Sequence, residues 1–320
     1  MKHIKIFSLS SNPKLAQEIS QKVGVKLSNV DVMRFSDGEV SINNIESVRG
    51  QDVFVIQPTS SPVNENLMEV LIMCDALKRA SAATINLILP YYGYSRADRK
   101  AMPRQAITAK LVADLLQTAG ATRVMCMDLH AAQIQGFFNI PIDNFPAGPL
   151  FAAYLLRKKL KNIVVVSPDH GGVTRARNFA RHFNAPLAII DKRRPKPNQA
   201  QIMNIIGDVK DAVCIMIDDI VDTAGTLCAG ADALKNAGAS AIYACATHGL
   251  LSGDAISKIE NSALEQLIIT NSVNLPPEKQ TPKIKQLSVG ALLGESIIHI
   301  VNDEPISQIF EKIEEMKVWN

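Results

Sequence analysis

"IMIDDIVDTAGTLCAG" (residues 215–230) joins a short apolar run to a helical pattern through Asp218, Asp219, Asp222, Thr223, Ala224, Gly225 and Thr226. Small residues between a strand and a helix make a phosphate cradle, because backbone N–H groups and hydroxyls converge at the helix N-terminus. Three carboxylates stand beside this one, although phosphate is an anion. An unpaired buried carboxylate is costly; sugar hydroxyls or a metal ion would satisfy it. The plain alternative is a helix cap, with Asp222 or Thr223 as the N-cap residue. No GxxxxGK[ST] occurs in the chain, so the loop is not a P-loop.

The same rhythm of strand then helix runs along the sequence. "VFVIQP" (53–58) leads to "NENLMEVLIMCDALKRA" (64–80), "ATINLILP" (83–90) to "ITAKLVADLLQTAG" (107–120), and further apolar runs end in "DLH", "SPDHGG", "DKRR", "IDD" and "THG". Continuous apolar strands separated by helices predict an α/β chain whose mainly parallel sheets are flanked by helices. Ligands of such sheets bind beyond the carboxyl ends of the strands, where every one of these polar clusters lies. An internal repeat divides the chain: "ADLLQTAGATRVMCMDLH" (113–130) aligns without gaps on "ADALKNAGASAIYACATH" (231–248). Two similar duplicated domains are therefore expected, 1–147 and 148–303. An amphipathic helix at 304–320 follows, with Ile306, Ile309, Phe310 and Ile313 as its apolar stripe.

Composition narrows the function classes. The 320 residues are 47% hydrophobic with a net charge of +3, which fits a globular chain and gives no general reason to bind nucleic acid or membranes. No apolar run reaches membrane-spanning length. The N-terminus is too short and polar to be a signal peptide. Five cysteines show no CxxC pair and read as buried free thiols in a reducing cytoplasm.

Charge is concentrated locally. The repeat places "YYGYSRADRKAMPRQA" (91–106) where the other half has "DDIVDTAGT". That segment carries Arg96, Arg99, Lys100 and Arg104, and it is too long for an ordinary strand–helix connection. It is either a basic surface loop or a lid that closes over phosphates and excludes water. "DKRRP" puts Lys192, Arg193 and Arg194 in a row, a solvated turn or a clamp for charge developing in phosphoryl transfer. "FSDGE" reads as a hairpin turn at Asp37-Gly38, with Phe35 as an aromatic face and Asp37 and Glu39 as acceptors. His130 and Asp169 stand at two strand ends, one in each half; beside a polyphosphate they make magnesium plausible.

Together these segments resemble a known family. "IDDIVDTAGT" is similar to the phosphoribosyl-diphosphate-binding loop of type I phosphoribosyltransferases. "FSDGE", "YYGYSRADRK", "DLHAAQIQGFF", "SPDHGGVTRAR" and "IDKRRPKPN", in that order, resemble ribose-phosphate pyrophosphokinases. The likeness runs from about residue 3 to the C-terminus. It implies a phosphoribosyltransferase-like fold and an ATP-dependent diphosphotransferase acting on D-ribose 5-phosphate for nucleotide biosynthesis. It also implies the residue roles. Lys192 and Arg194 would be catalytic, with Arg194 near the sugar phosphate. Asp218, Asp219, Asp222, Thr223, Ala224, Gly225 and Thr226 would bind ribose 5-phosphate. Phe35, Asp37, Gly38, Glu39, Arg96, Ala97, Arg99 and Lys100 would bind ATP, and His130 and Asp169 would contact Mg²⁺. Position 97, usually Gln in the family, is Ala here, and "AMPRQ" is poorer in arginine than the common version. A homo-oligomer, commonly a hexamer with the adenine site shared between subunits, is implied as well. Three alternatives remain from the residues alone: a phosphoribosyltransferase, an inactive regulatory homologue, or a sugar-phosphate binding module without chemistry.

Overall fold

A computed structural model describes residues 4–44, 46–193 and 202–315, and the chain divides into two compact units. The first comprises Met1–Pro146, Ser272–Asn274 and Ser288–Asn320; the second comprises Ala147–Asn271 and Leu275–Leu287.

The first unit opens with β1 (Ile4–Ser8), α1 (Pro13–Val23), β2 (Val30–Arg34), β3 (Val40–Asn44), β4 (Asp52–Ile56) and α2 (Val63–Arg79). It continues with β5 (Thr84–Leu89), α3 (Thr108–Ala119), β6 (Arg123–Met127) and β7 (Ile142–Phe145). Its five-stranded sheet has the order β1-β4-β5-β6-β7, parallel throughout, and β2 and β3 form a separate antiparallel hairpin. The strands are apolar on both faces, as in β4, where Val53 to Ile56 are all buried, because helices cover both sides. In α1, Leu15, Ala16, Ile19 and Val23 recur at helical spacing on the buried face. Asn12 Oδ1 caps that helix by accepting from Leu15 N at 3.2 Å, and Gly24 ends it at φ 76°.

The second unit holds α4 (Gly148–Leu156), β8 (Ile163–Ser167), α5 (Val173–Arg181), β9 (Leu187–Arg193), β10 (Ile202–Ile206) and β11 (Val213–Val221). Next come α6 (Gly225–Asn236), β12 (Ala241–Gly249), α7 (Ala255–Asn261), β13 (Gln266–Thr270) and β14 (Ile284–Leu287). The seven strands run β10-β9-β8-β11-β12-β13-β14, and only β10 is antiparallel to its neighbour. Strand order reverses at β8: the chain crosses to β9 on one side and returns to β11 on the other. Ligands of open α/β sheets settle at such a switch point. The repeated segments are equivalent in structure, α3 with β6 in one unit and α6 with β12 in the other. All five cysteines are free and buried. Among the described residues no helix is long and apolar enough to cross a membrane.

The last helices, α8 (Gly290–Val301) and α9 (Ser307–Glu314), group with the first unit. This differs from the division read from sequence, which kept residues up to 303 in the second domain. The physical reason is a close helix crossing. A Cβ on Gly290 would lie 2.7 Å from Glu18 Cβ, and one on Gly294 would lie 2.5 Å from Lys22 Cγ, so α8 reaches α1 only because these positions are glycine. Glu295 seals the crossing with Lys312 at 2.8 Å and Lys22 at 3.0 Å. The hydrogen bond from Lys312, with help from Lys22, holds its carboxyl down to about 2. Ile309 and Ile313 of the apolar stripe are fully buried, and Phe310 stacks on Phe145 with ring centroids 5.2 Å apart.

Gly294→Val should therefore overpack this crossing and cost about 1–3 kcal/mol, read as a lower urea midpoint at unchanged slope.

Candidate active site

The sheet of the second unit has a step at its switch point. β8 pairs with β11 only as far as Val166↔Met216, whereas β12 accompanies β11 to Gly249↔Val221. The sequence suggested that the strand ends at Asp218 and Asp219; it runs on to Val221, so both acids lie inside the strand but past the end of β8. Asp219 is buried and Asp218 half-buried. They are held close together: Asp219 N donates to Asp218 Oδ1 at 2.9 Å, and one guanidinium nitrogen of Arg175, on α5, serves both carboxylates at 3.4 and 3.1 Å. Burial pushes the Asp218 carboxyl well above its ordinary value of 3.8, and the hydrogen bond and charge of Asp219 push the same way; Arg175 opposes them. Sequence reasoning assigned Arg175 no role. The signal was present in "VTRAR", but a helix pattern does not say which basic residue turns toward a strand far along the chain.

Beyond these acids the chain makes a cavity of about 220 Å³ lined by Pro168, Asp218, Ile220 and residues 221–227. That is smaller than the usual pocket for a drug-sized molecule and suits a sugar phosphate. Asp222, Thr223, Ala224, Gly225 and Thr226 all line it. The capping alternative is not what the structure shows. The residue at the N-cap of α6 is Ala224, and no side chain caps the helix. The first-turn N–H groups are thus left for an anion at the positive end of the helix. Ala224 adopts φ 57°, a left-handed conformation costing a β-carbon residue roughly 1 kcal/mol or more, which is a form of strain common at ligand loops.

The basic segment 91–106 follows β5 in the first unit. Its base is pinned: Tyr92 Oη donates to Ala109 O at 2.9 Å and Gly93 N donates to Thr59 Oγ1 at 2.7 Å. A Cβ on Gly93 would sit 2.5 Å from Thr59 O, so only glycine allows this approach. Arg96, Arg99, Lys100 and residues 101–106 are exposed. Ala97 acts through its backbone, donating to Tyr94 O and accepting from Ala109 N. In the hairpin, Phe35 N donates to Glu39 O, Gly38 N to Phe35 O, and Glu39 N to Asp37 Oδ1, with Gly38 at φ 93°. Phe35 is 51% exposed, a large aromatic face turned to solvent.

His130 and Asp169 are exposed, each just beyond a strand, in the first and second unit respectively. His248, the repeat counterpart of His130, is buried. Asp169 Oδ1 accepts from Gly172 N at 2.9 Å ahead of α5. Among the described residues no three His, Cys, Asp or Glu side chains gather as a metal cage. Oxygen donors without a cage fit Mg²⁺, which keeps several waters and binds through one or two carboxylates plus substrate phosphates. Lys192 lies in β9 opposite Met203, but its side chain, like Arg194 as a whole, lies outside the described residues. Its neighbour Asp191 is held by His170 Nε2 at 3.0 Å.

Comparison with known proteins agrees with this geometry. The model of the N-terminal domain of ribose phosphate pyrophosphokinase matches residues 4–120, and that of the phosphoribosyl synthetase-associated domain matches residues 192–311. Ribose-phosphate pyrophosphokinase of Bacillus subtilis is 58% identical over 97% of this chain and 98% of its own length. Ribose-phosphate pyrophosphokinase 1 of Listeria innocua is 59% identical over 96% of this chain and 97% of its own. The crystal structure of phosphoribosylpyrophosphate synthetase from Mycobacterium smegmatis superposes with a TM-score of 0.90 at 39% identity, covering 94% of this chain and all (100%) of that one.

The raised Asp218 carboxyl has a sign that can be checked. Between its ordinary and its raised pKa the folded chain binds more protons than the unfolded one, so this group weakens the fold as pH rises from about 4 toward neutrality. Asp218→Asn should accordingly raise the thermal midpoint of the ligand-free protein at pH 8 by about 2–4 °C, with the difference shrinking toward zero at pH 5.

Proposed function

The chain belongs to the ribose-phosphate pyrophosphokinase family, and from that premise we propose that it transfers the diphosphoryl group of ATP to the 1-hydroxyl of D-ribose 5-phosphate. The products are 5-phospho-α-D-ribose 1-diphosphate, for nucleotide biosynthesis, and AMP. The observation that carries this reading is the cavity lined by Asp218 and residues 220–227, where a helix N-terminus without a side-chain cap stands beside the carboxylates of Asp218 and Asp222. Few ligands need both; a phosphorylated sugar does.

The roles follow from the chemistry of each group. The turn at 222–226 holds the 5-phosphate. Asp218 and Asp219 accept hydrogen bonds from ribose hydroxyls, or from water around a divalent cation, and Arg175 keeps the pair together until the ligand arrives. Phe35 stacks on the adenine, and Asp37 and Glu39 supply acceptors for its amine. Arg96, Arg99 and Lys100 draw the lid onto the polyphosphate and exclude the water that would hydrolyse it. Phosphoryl-type transfer needs positioning and charge neutralisation more than a covalent intermediate. Lys192 and Arg194 would supply that charge, Arg194 also touching the sugar phosphate. On the family's pattern His130 and Asp169 would contact Mg²⁺, Asp218 would orient its waters, and the bound ion would neutralise the transferring group. The enzyme would work in the cytoplasm as a homo-oligomer, a hexamer on the family's pattern, with the hairpin completing the adenine site of a neighbouring subunit.

Incubating the pure chain with Mg-ATP and ribose 5-phosphate should release AMP in step with the sugar diphosphate; AMP absent from that mixture contradicts the proposal. Lys192→Ala should lower kcat by about two orders of magnitude or more with little change in KM, because its charge matters mainly in the transition state. Asp222→Ala should chiefly raise KM for ribose 5-phosphate; a change confined to KM for ATP would remove the loop from the sugar-phosphate site.

A further inference from the structure

Arg34 is the last residue of β2 and immediately precedes Phe35. Its guanidinium turns back to α2, where Nη2 donates to Glu69 Oε1 at 2.6 Å and Nε donates to Glu65 Oε2 at 3.0 Å. Glu69 is fully buried. Its carboxylate also accepts from Ser10 N at 3.2 Å, from Ser10 Oγ at 2.7 and 2.8 Å, and from Gln57 Nε2 at 2.8 Å. The Gln57 amide is oriented in turn, because its Oε1 accepts from Ser11 N and Ser11 Oγ. Ser10 lies just beyond β1 and Gln57 just beyond β4, neighbouring strands of the five-stranded sheet. The carboxylate is thus nailed to the carboxyl ends of two strands and offers its remaining capacity to one cation.

That cation sits at the exposed end of a hairpin whose strands pack on the core through Ile42, Val30, Val32 and Val40, while its tip does not. A two-stranded hairpin is marginal by itself in water, and β2 and β3 are not joined to the larger sheet. Residues 33–39 are exposed throughout. A charge-assisted hydrogen bond to a fully buried carboxylate is among the stronger and more directional polar contacts available. Placed one residue before Phe35, it fixes the angle at which the tip leaves α2.

We infer that the Arg34–Glu69 pair is a positioning device that aims the Phe35–Glu39 tip, and that it thereby sets affinity for the nucleotide. Arg34 touches no substrate in this account; it acts through the tip. The inference rests on the reading of the hairpin as the adenine-binding element. Removing the guanidinium leaves Glu69 bonded to Ser10 and Gln57 but without its counter-charge, so a lowered midpoint is expected with the loss of the tip's reference direction.

Steady-state kinetics on the full chain with Arg34→Met, Arg34→Lys and Phe35→Ala, each with its thermal midpoint, test this. Arg34→Met should raise KM for ATP about tenfold while kcat and KM for ribose 5-phosphate stay within about twofold, and Arg34→Lys should recover part of the loss. If Phe35→Ala raises KM for ATP and Arg34→Met does not, the positioning role is overturned. Should Phe35→Ala also leave KM for ATP unchanged, the hairpin is not the adenine site and the inference falls with that reading. Equal losses in both KM values together with a lowered midpoint would mark Arg34 as merely structural, which also overturns it.

Discussion

The step between β8 and β11 is the constraint on which the candidate site depends. Because β8 stops at Ser167 while β11 continues to Val221, Asp218 and Asp219 stand past the last shared rung of the sheet. Inside a complete sheet two adjacent buried carboxylates would be intolerable. At the step Asp218 lines a cavity while Asp219 stays buried, and the Arg175 guanidinium from α5 reaches both. The arrangement is under tension in the free protein, since burial and mutual repulsion drive the Asp218 carboxyl toward its neutral form. In the proposed function, a ligand presenting hydroxyls or a hydrated cation would relieve that tension.

The same tension explains the acids beside an anion cradle. In the proposed function the carboxylates and the helix N-terminus address different parts of one molecule. Backbone N–H groups at 225–227 suit a phosphate, and the acids upstream suit the sugar attached to it. Duplication gave the protein two copies of one helix–strand unit, and the two diverged at the segment entering the helix. In the second unit that segment is the tight turn 222–224; in the first it is the basic segment 91–106, buried at its start and exposed over 99–106. One frame thus carries two different connections at the same place, a tight turn and a long basic segment.

Local and repetitive features were legible in the amino-acid sequence. The alternation of apolar strands with helices announced parallel sheets, the 113–130 and 231–248 repeat announced two units, and "FSDGE" announced a hairpin with Asp37-Gly38 at its turn. "DDIVDTAGT" announced the turn from β11 into α6, which lines the cavity. What stayed hidden depends on contacts between distant segments. Arg175 meets Asp218 across 43 residues, and Arg34 meets Glu69 across 35. Neither pairing has a local pattern. The grouping of α8 with the first unit was equally hidden, because it follows from glycines at 290 and 294 that look ordinary within an apolar helix. The strand limit at Val221 was missed for a related reason: two acids end an apolar run, but the ladder to β12 does not stop for them.

In the proposed function one cavity reads both halves of a sugar phosphate. Difference density from crystals of the full chain soaked with ribose 5-phosphate tests it most directly. The phosphate should appear against the backbone N–H groups at the start of α6, with ring hydroxyls directed at Asp218 and Asp219. A sugar phosphate bound away from residues 218–227, or bound there with its phosphate beside the carboxylates, would contradict it.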